Sequence, residues 1–147
     1  RVLQPSLVPL SSESAVVYLR NSTLGDESKN IYAVFTHDGG LHWDKPVMTN
    51  LLNNDSSVVG LNLRDGRYLM IYNQGTRGHL WLAISTDQLT WHPIYQLESN
   101  ELPNAEYSYP DMHLTGSTLD ITYTYNRKEI KHVRLSLAWL NKVMANK

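Results

Sequence analysis

The chain has 147 residues with a net charge of −1, counting its six histidines as neutral, and it contains no cysteine. This length suits one domain with a sizeable core, and the balanced charge argues against a nucleic-acid-binding surface or a polybasic membrane patch. We therefore expect no nucleic-acid partner. The lack of cysteine excludes disulfides and thiolate metal sites. No apolar run approaches the ~20 residues of a membrane span, so we expect no membrane-spanning segment.

The first third of the chain consists of short apolar segments separated by turn residues. A polar loop is predicted over residues 21–30, and strands are predicted over residues 4–10, 15–20, 31–35 and 43–48. Four short strands joined by such turns are typical of an antiparallel sheet.

The same plan recurs twice. The second unit has predicted strands at residues 57–63, 68–72, 80–84 and 91–97, with a hairpin turn at Asp65-Gly66. The third unit has predicted strands at residues 109–114, 119–125 and 129–135. Where a fourth strand should follow, Leu137, Leu140 and Met144 recur at helical spacing after Ser136, which predicts a short helix capped by Ser136.

A turn motif marks the first two units. It reads THDGGLHW at residues 36–43 and, one residue shorter, STDQLTW at residues 85–91. A period of about 50 residues indicates a repeat architecture. We interpret the motif as structural, with Asp38 bonding the turn amides and Trp43 folding back as a plug between neighbouring sheets.

The units align at the strand starts Gln4, Ser57 and Tyr109. Three radially stacked sheets predict an all-β fold, a β-propeller fragment of about three four-stranded antiparallel blades with a short C-terminal helix. The predicted blades cover about residues 1–50, 51–100 and 101–135, and the helix about 136–146, so that one partial propeller spans residues 1–147. Because propellers typically have ~4–8 blades and the chain begins with Arg1, not Met, we expect a processed or longer parent protein. Three isolated blades would leave two apolar faces open, so we expect the fragment to self-associate or to be unstable.

The motif at residues 36–43 resembles the Asp-box of sialidases (neuraminidases) and of the wider group of sialidase-like BNR-repeat proteins, which are six-bladed propellers. Residues 4–8, 73–80, 106–110 and 123–133 resemble further recurring motifs of that family. The likeness covers essentially the whole chain and corresponds to the C-terminal half of such a propeller. It implies a secreted or periplasmic protein, and a parent that acts as an exo-α-sialidase-like glycosidase.

The resemblance also implies roles for particular residues. Arg20 matches the family's second arginine and Arg77 the third, and these arginines hold the carboxylate of the substrate. A carboxylate suits bidentate guanidinium groups. Tyr109 matches the tyrosine nucleophile, with Tyr107 as the alternative. A neutral phenol can approach an anionic sugar with less repulsion than a carboxylate, and sialidases are a known exception to the two-carboxylate rule of glycosidases.

Gln4 departs from the family pattern. It stands where the resemblance implies a catalytic Glu, and an amide cannot act as a base. Glu13 and Glu106 are conceivable substitutes, although nothing in the sequence supports either. The resemblance places the first arginine and the acid/base Asp in blades before Arg1, so we expect this chain alone to be inactive.

Two classes of function remain open. The first is an enzyme that acts on sialic acid or another anionic sugar, either a glycosidase or a polysaccharide lyase of the same fold. The second is a non-catalytic carbohydrate-binding propeller, which the glutamine at position 4 favours. The partners expected are a carbohydrate and the missing N-terminal blades. No cofactor or metal is expected, because the histidines lack metal-ligand spacing, and His132 beside Arg127 and Tyr125 is the one cluster that could face a cleft.

Overall fold

A computed structural model describes residues 2–22 and 29–146, so most of the predicted polar loop lies outside the described residues. The described chain is almost entirely β-structure, as predicted. Its strands are β1 (Val2–Pro9), β2 (Ala15–Asn21), β3 (Asn30–Thr36), β4 (Val47–Leu52), β5 (Val59–Asn62), β6 (Tyr68–Asn73), β7 (His79–Ser85), β8 (His92–Ser99), β9 (Tyr107–Thr115), β10 (Thr118–Tyr125) and β11 (Glu129–Ser136), followed by helix α1 (Leu137–Ala145).

The strands form three antiparallel sheets with the orders β1-β2-β3-β4, β5-β6-β7-β8 and β9-β10-β11. The third sheet has three described strands, as predicted for the third unit. Helix α1 takes the next place in the chain and packs against β8 and β11, with Leu140 buried. The predicted cap is confirmed, because the Ser136 hydroxyl accepts a hydrogen bond from the Trp139 amide at 3.0 Å. In the part of the chain that the structure describes, no helix is long and apolar enough to cross a membrane.

The first strand of each sheet lies innermost, since β1 contacts β5 and β5 contacts β9. The middle sheet is covered on both faces. Leu69, Met70 and Ile71 are consecutive in β6 and all are fully buried, although neighbouring side chains on a strand point to opposite faces. The sheets are therefore stacked face to face, as blades are.

The first two sheets are held together by Tyr18 and Trp91. Their rings meet edge to face at 5.5 Å, and both side chains are almost fully buried. The Tyr18 hydroxyl and the Trp91 indole N–H both donate to the carbonyl of Gln88, at 3.0 and 3.2 Å. Gly60 permits the contact, because a Cβ at that position would lie 2.7 Å from the Tyr18 ring.

Both copies of the turn motif form tight turns between the third and fourth strands of their sheets. In the first copy, Asp38 accepts from the Thr36 hydroxyl at 3.0 Å and the His42 amide at 2.9 Å. This copy has two left-handed residues, Gly39 and Gly40, whereas the shorter second copy has one, Gln88. Strand β4 begins at Val47, directly after Pro46, which has no N–H for a ladder hydrogen bond, and not near residue 43 as predicted.

The two motif tryptophans differ in burial. Trp91 is 1% exposed and fills the joint between the first two sheets, as predicted for the motif. Trp43 is 44% exposed, so the prediction that it plugs two sheets is wrong for the described chain. No other described sheet lies against that part of the first sheet.

The two outer faces of the stack differ in chemistry. On the first sheet, Leu7 and Met48 are more than half exposed. They share a face with their cross-strand neighbours, Val17 beside Leu7 and Tyr32 and Leu19 beside Met48. On the third sheet, the cross-strand partners are polar, with Asp120 opposite Arg134 and His113, and Thr122 opposite His132 and Asp111. The exposed apolar surface is therefore concentrated on the first sheet.

We expect the isolated chain to self-associate through this apolar face. The double variant Leu7→Lys/Met48→Lys should shift it towards monomer, while Thr122→Lys on the polar face should not. Sedimentation velocity over a range of concentrations measures the difference. A monomeric wild-type chain that melts cooperatively at every concentration would contradict the expectation.

The unequal burial of the motif tryptophans predicts unequal stability effects. In the Leu7→Lys/Met48→Lys background, Trp91→Ala should lower the free energy of unfolding by about 3–5 kcal/mol because it leaves a cavity between two sheets. Trp43→Ala should cost less than about 1 kcal/mol because its side chain is half exposed. Urea unfolding followed by circular dichroism tests this, and equal losses would show that the tryptophans are equivalent.

Candidate functional site

Gln4, Arg20, Arg77 and Tyr109 lie at one end of the sheets, opposite the turn motifs. In the first sheet, Arg20 lies opposite Leu3 at one end of the β1–β2 pair, while Ala15 lies opposite Thr36 of the turn motif at the other end. The structure brings together three arginines, two carboxylates, a tyrosine and a glutamine, which we call the arginine–tyrosine cluster: Gln4, Arg20, Asp55, Arg77, Glu106, Tyr109 and Arg127.

Gln4 and Tyr109 have the same unusual backbone. Their φ angles are 47° and 52°, in the left-handed region that favours glycine. Each precedes a proline and sits at an irregularity in the strand register of β1 or β9. Such conformations cost about 1–3 kcal/mol each and concentrate at functional sites, so the backbone at these positions supports the choice of both residues as candidates.

Asp55 and Gln4 both hold Arg20 in place. Its Nε donates to Asp55 Oδ1 at 2.8 Å, and its Nη1 donates to Gln4 Oε1 at 2.5 Å. The hydrogen bond from Arg20 keeps the pKa of Asp55 below its usual range. Only 12% of the Arg20 side chain is exposed, so its charge lies at a well-defined place. The Gln4 amide thus orients an arginine.

Arg77 is held mainly by Glu106, which precedes the first strand of the third sheet. Its Nη1 donates to Glu106 Oε1 at 2.7 Å, and its Nη2 donates to the carbonyl of Asp55 at 3.1 Å. Its Cζ lies 5.5 Å from the centre of the Tyr109 ring. Asp55 therefore connects Arg20 to Arg77, and both guanidinium groups have more N–H donors than these bonds use.

Tyr109 lies against both arginines. Hydrogen bonding to Arg20, and then to Arg77, lowers the pKa of its phenol, because the cations favour the phenolate. The side chain is 46% exposed and open to a ligand. Tyr107, the alternative, is buried in the core, where its hydroxyl accepts a hydrogen bond from Asn100 at 3.2 Å. Of these two tyrosines, Tyr109 is the one that a substrate can reach.

Glu106 and Glu13 do not fit the role of a base in place of Gln4. Burial raises the pKa of Glu106, but hydrogen bonds from Arg127, Ser108 and Arg77 outweigh it and lower the pKa to about 2. A carboxylate held this way stays ionised and accepts a proton poorly. Glu13 lies at the other end of the sheet, where its backbone carbonyl accepts from the Gly39 amide of the turn motif at 2.7 Å.

His132 lies outside the cluster. Its Nε2 is 2.7 Å from Asp120 Oδ1, which also accepts from Arg134 Nε at 2.8 Å. All three side chains belong to the polar outer face of the third sheet. The expected grouping of His132 with Arg127 and Tyr125 is not found, because Arg127 lies in the turn at the end of that sheet.

Two cavities adjoin the cluster. One, of about 520 Å³, is lined by Arg77, Glu106 and Arg127 together with the loop at residues 101–105. The other, of about 460 Å³, is lined by Tyr109, Arg127 and residues 128–130. Both fall within the size range of small-molecule sites.

Sequence reasoning missed Asp55, grouped Arg127 with His132 instead of with Arg77, and considered Glu106 only as a base. Asp55 binds an arginine 35 residues earlier and Glu106 one 29 residues earlier, so no local pattern could pair them. One signal was available. Each acid shortly precedes the predicted start of an inner strand, so the repeat places both at the end of the sheets where Arg20 lies.

Residues 1–121 of the chain match the family model described as BNR repeat-like domain. No curated protein sequence matches the chain.

The chain resembles several solved structures. The GH93 α-L-arabinofuranosidase of Fusarium graminearum, in complex with arabinobiose, superposes with a TM-score of 0.71 and 17% identity over 92% of this chain and 45% of that one. GH43B of the xyloglucan PUL of Bacteroides ovatus superposes with a TM-score of 0.63 and 18% identity, over 90% of this chain and 26% of that one. The α-L-arabinanase of Penicillium chrysogenum, also in complex with arabinobiose, superposes with a TM-score of 0.60 and 14% identity, over 91% of this chain and 45% of that one. At these identities the likeness concerns the propeller-type fold, and the chain spans less than half of each structure.

The low pKa of Glu106 predicts a pH dependence of stability. Since folding lowers this pKa from 4.5 to about 2, the ionised group stabilises the fold above pH 4.5, and the contribution is lost as the pH falls towards 2. Across that window the free energy of unfolding should fall by up to ~3 kcal/mol more in the wild type than in Glu106→Gln. Urea unfolding at several pH values measures this, and parallel pH profiles would contradict the assignment.

Proposed function

The chain belongs to the BNR repeat-like domain family, and we propose that it supplies the sugar-binding part of a propeller glycoside hydrolase that acts on an anionic sugar. The observation that carries this proposal is the position of the exposed Tyr109 phenol against the guanidinium groups of Arg20 and Arg77. The cluster contains three guanidinium groups and two carboxylates, which leaves it positively charged.

In this proposal Arg20 and Arg77 bind the carboxylate of the sugar. Both side chains are mostly buried, and their orientation is set by Asp55, Gln4 and Glu106 before any ligand arrives. Preorganised guanidinium groups lose little freedom on binding and match the two oxygens of a carboxylate. A charged hydrogen bond of this kind contributes about 1.5–3 kcal/mol.

Tyr109 is the proposed nucleophile. Its Oη would attack the anomeric carbon while the bond from that carbon to the leaving oxygen breaks, and water would then cleave the glycosyl–tyrosine bond. Gln4 cannot take the phenolic proton, so the two arginines would assist instead by lowering the pKa of Tyr109 and letting the proton pass to solvent. The acid that protonates the leaving group would come from outside this chain.

Sialic acid is the anionic sugar that the sequence resemblance favours, which makes an exo-α-sialidase the specific form of this proposal. The structural neighbours suggest a different sugar, because two of them are complexes with arabinobiose, which carries no charge. The paired arginines beside Tyr109 support the anionic substrate over a neutral one.

Two alternatives keep the same site. A non-catalytic carbohydrate-binding propeller is favoured by Gln4, whose side chain contacts Arg20 and cannot serve as a base. A polysaccharide lyase would use the arginines to hold a uronate and Tyr109 to move a proton. Both alternatives retain the arginine–carboxylate contact.

The test uses the full-length protein and its variants Tyr109→Phe, Arg77→Ala and Arg64→Ala, the last being an exposed arginine at the opposite end of the sheets. With a fluorogenic sialoside, Tyr109→Phe should lower kcat by at least about 1000-fold. Arg77→Ala should raise KM about 10–100-fold, and Arg64→Ala should change neither.

Other readouts separate the alternatives. An unsaturated uronate product, detected by its ultraviolet absorbance, would identify a lyase. Binding of acidic glycans on an array without either product would leave the binding module. If Arg77→Ala alters neither activity nor glycan binding while the protein stays folded, the carboxylate clamp is wrong.

A further inference from the structure

Arg127 occupies a backbone position that favours glycine. The Lys128 amide donates to the Tyr125 carbonyl at 3.1 Å, closing a turn whose central residues are Asn126 and Arg127, with φ of 52° and 55°. A turn with two left-handed central residues is the type I′ hairpin turn, for which Asn-Gly is the preferred sequence. Arginine in the second position carries a backbone penalty that glycine would avoid.

The side chain of Arg127 does little to stabilise the fold. It is 70% exposed, and its Nε donates to Glu106 Oε2 at 2.5 Å. Water screens so exposed a guanidinium, so this ion pair adds little to the stability of the fold. Within residues 2–22 and 29–146, Glu106 is its hydrogen-bond partner, and the two Nη groups are left to solvent.

The guanidinium of Arg127 is nevertheless well placed. Glu106 binds Arg77 with one carboxylate oxygen and Arg127 with the other, so a single partly buried acid sets the spacing of the two guanidinium groups. Arg127 also lines both cavities beside the cluster, the one that it shares with Arg77 and the one that it shares with Tyr109. A ligand that reaches from Tyr109 into either cavity passes this side chain.

We propose that Arg127 binds a second anionic group, on the sugar next to the one held by Arg20 and Arg77, so that the protein prefers acidic oligosaccharides to single acidic sugars. This inference rests on the proposed function. A strained backbone, an exposed guanidinium and a shared orienting carboxylate together fit a residue kept for binding. The second group can be a carboxylate or a sulfate, because both offer paired oxygens to the Nη groups.

The experiment compares Arg127→Gly with Arg64→Gly in the full-length protein. Arg64 is a matched control, because it too is an exposed arginine with a left-handed φ, 62°, in a hairpin turn, but it lies at the opposite end of the sheets. Calorimetric titrations use thio-linked probes that resist hydrolysis: the methyl glycoside of sialic acid, its α2,8-linked dimer, a galacturonate dimer, and a dimer of galacturonate with a sulfated galactose as the second ring.

Arg127→Gly should weaken binding of at least one dimer about 10–100-fold, the size of a lost charged hydrogen bond, and leave binding of the monomer within about twofold. Whether the carboxylate or the sulfate dimer responds identifies the second group. Arg64→Gly should leave all affinities unchanged. Neither glycine variant should lower the melting temperature, since each relieves a left-handed residue.

The titrations distinguish a wrong role for Arg127 from a wrong proposed function. If Arg77→Ala abolishes binding of the monomer while Arg127→Gly leaves the dimer-to-monomer ratio unchanged, the role of Arg127 is wrong and the proposed function stands. If Arg127→Gly lowers the melting temperature by several degrees and weakens monomer and dimer equally, its role is structural. If no acidic probe binds the wild type, or Arg77→Ala has no effect on the monomer, both proposals fall.

Discussion

The contact between Tyr18 and Trp91 is the constraint on which the rest of the structure depends. It packs the first sheet onto the second, and the Tyr18 ring lies so close to Gly60 that position 60 has no room for a side chain. The Tyr18 hydroxyl and the Trp91 indole N–H both donate to the Gln88 carbonyl, so hydrogen bonds as well as apolar packing define this contact. Because this contact fixes how the inner strands lie beside each other, it also fixes where the charged residues at their ends meet.

Charge at those ends follows a repeated arrangement. Arg20 of the first sheet is bound by Asp55, which precedes the second sheet, and Arg77 of the second is bound by Glu106, which precedes the third. Each blade thus orients the cation of the blade before it. Arg127 shares Glu106 with Arg77, so the carboxylates are outnumbered and the surplus positive charge is available to a ligand.

The two ends of the sheets differ in their residues. The turn motifs close one end, where Asp38 and Asp87 bond turn amides and hydroxyls. The other end holds left-handed residues at Gln4 and Tyr109, whose strain the packed sheets must offset. The exposed Trp43, Leu7 and Met48 show that the first sheet retains apolar surface suited to a further packed layer.

The sequence by itself determined the strands, the repeat and the capped helix, because alternation, turn residues and blade periodicity are local or repeated signals. The choice of Arg20, Arg77 and Tyr109 came from the family resemblance. The sequence did not determine that Asp55, Glu106 and Arg127 would join them, that Tyr107 would be buried, or that Trp91 and Trp43 would differ. Those outcomes depend on partners tens of residues away or in another sheet, and only the stacking of the three sheets decides which side chains meet at their ends.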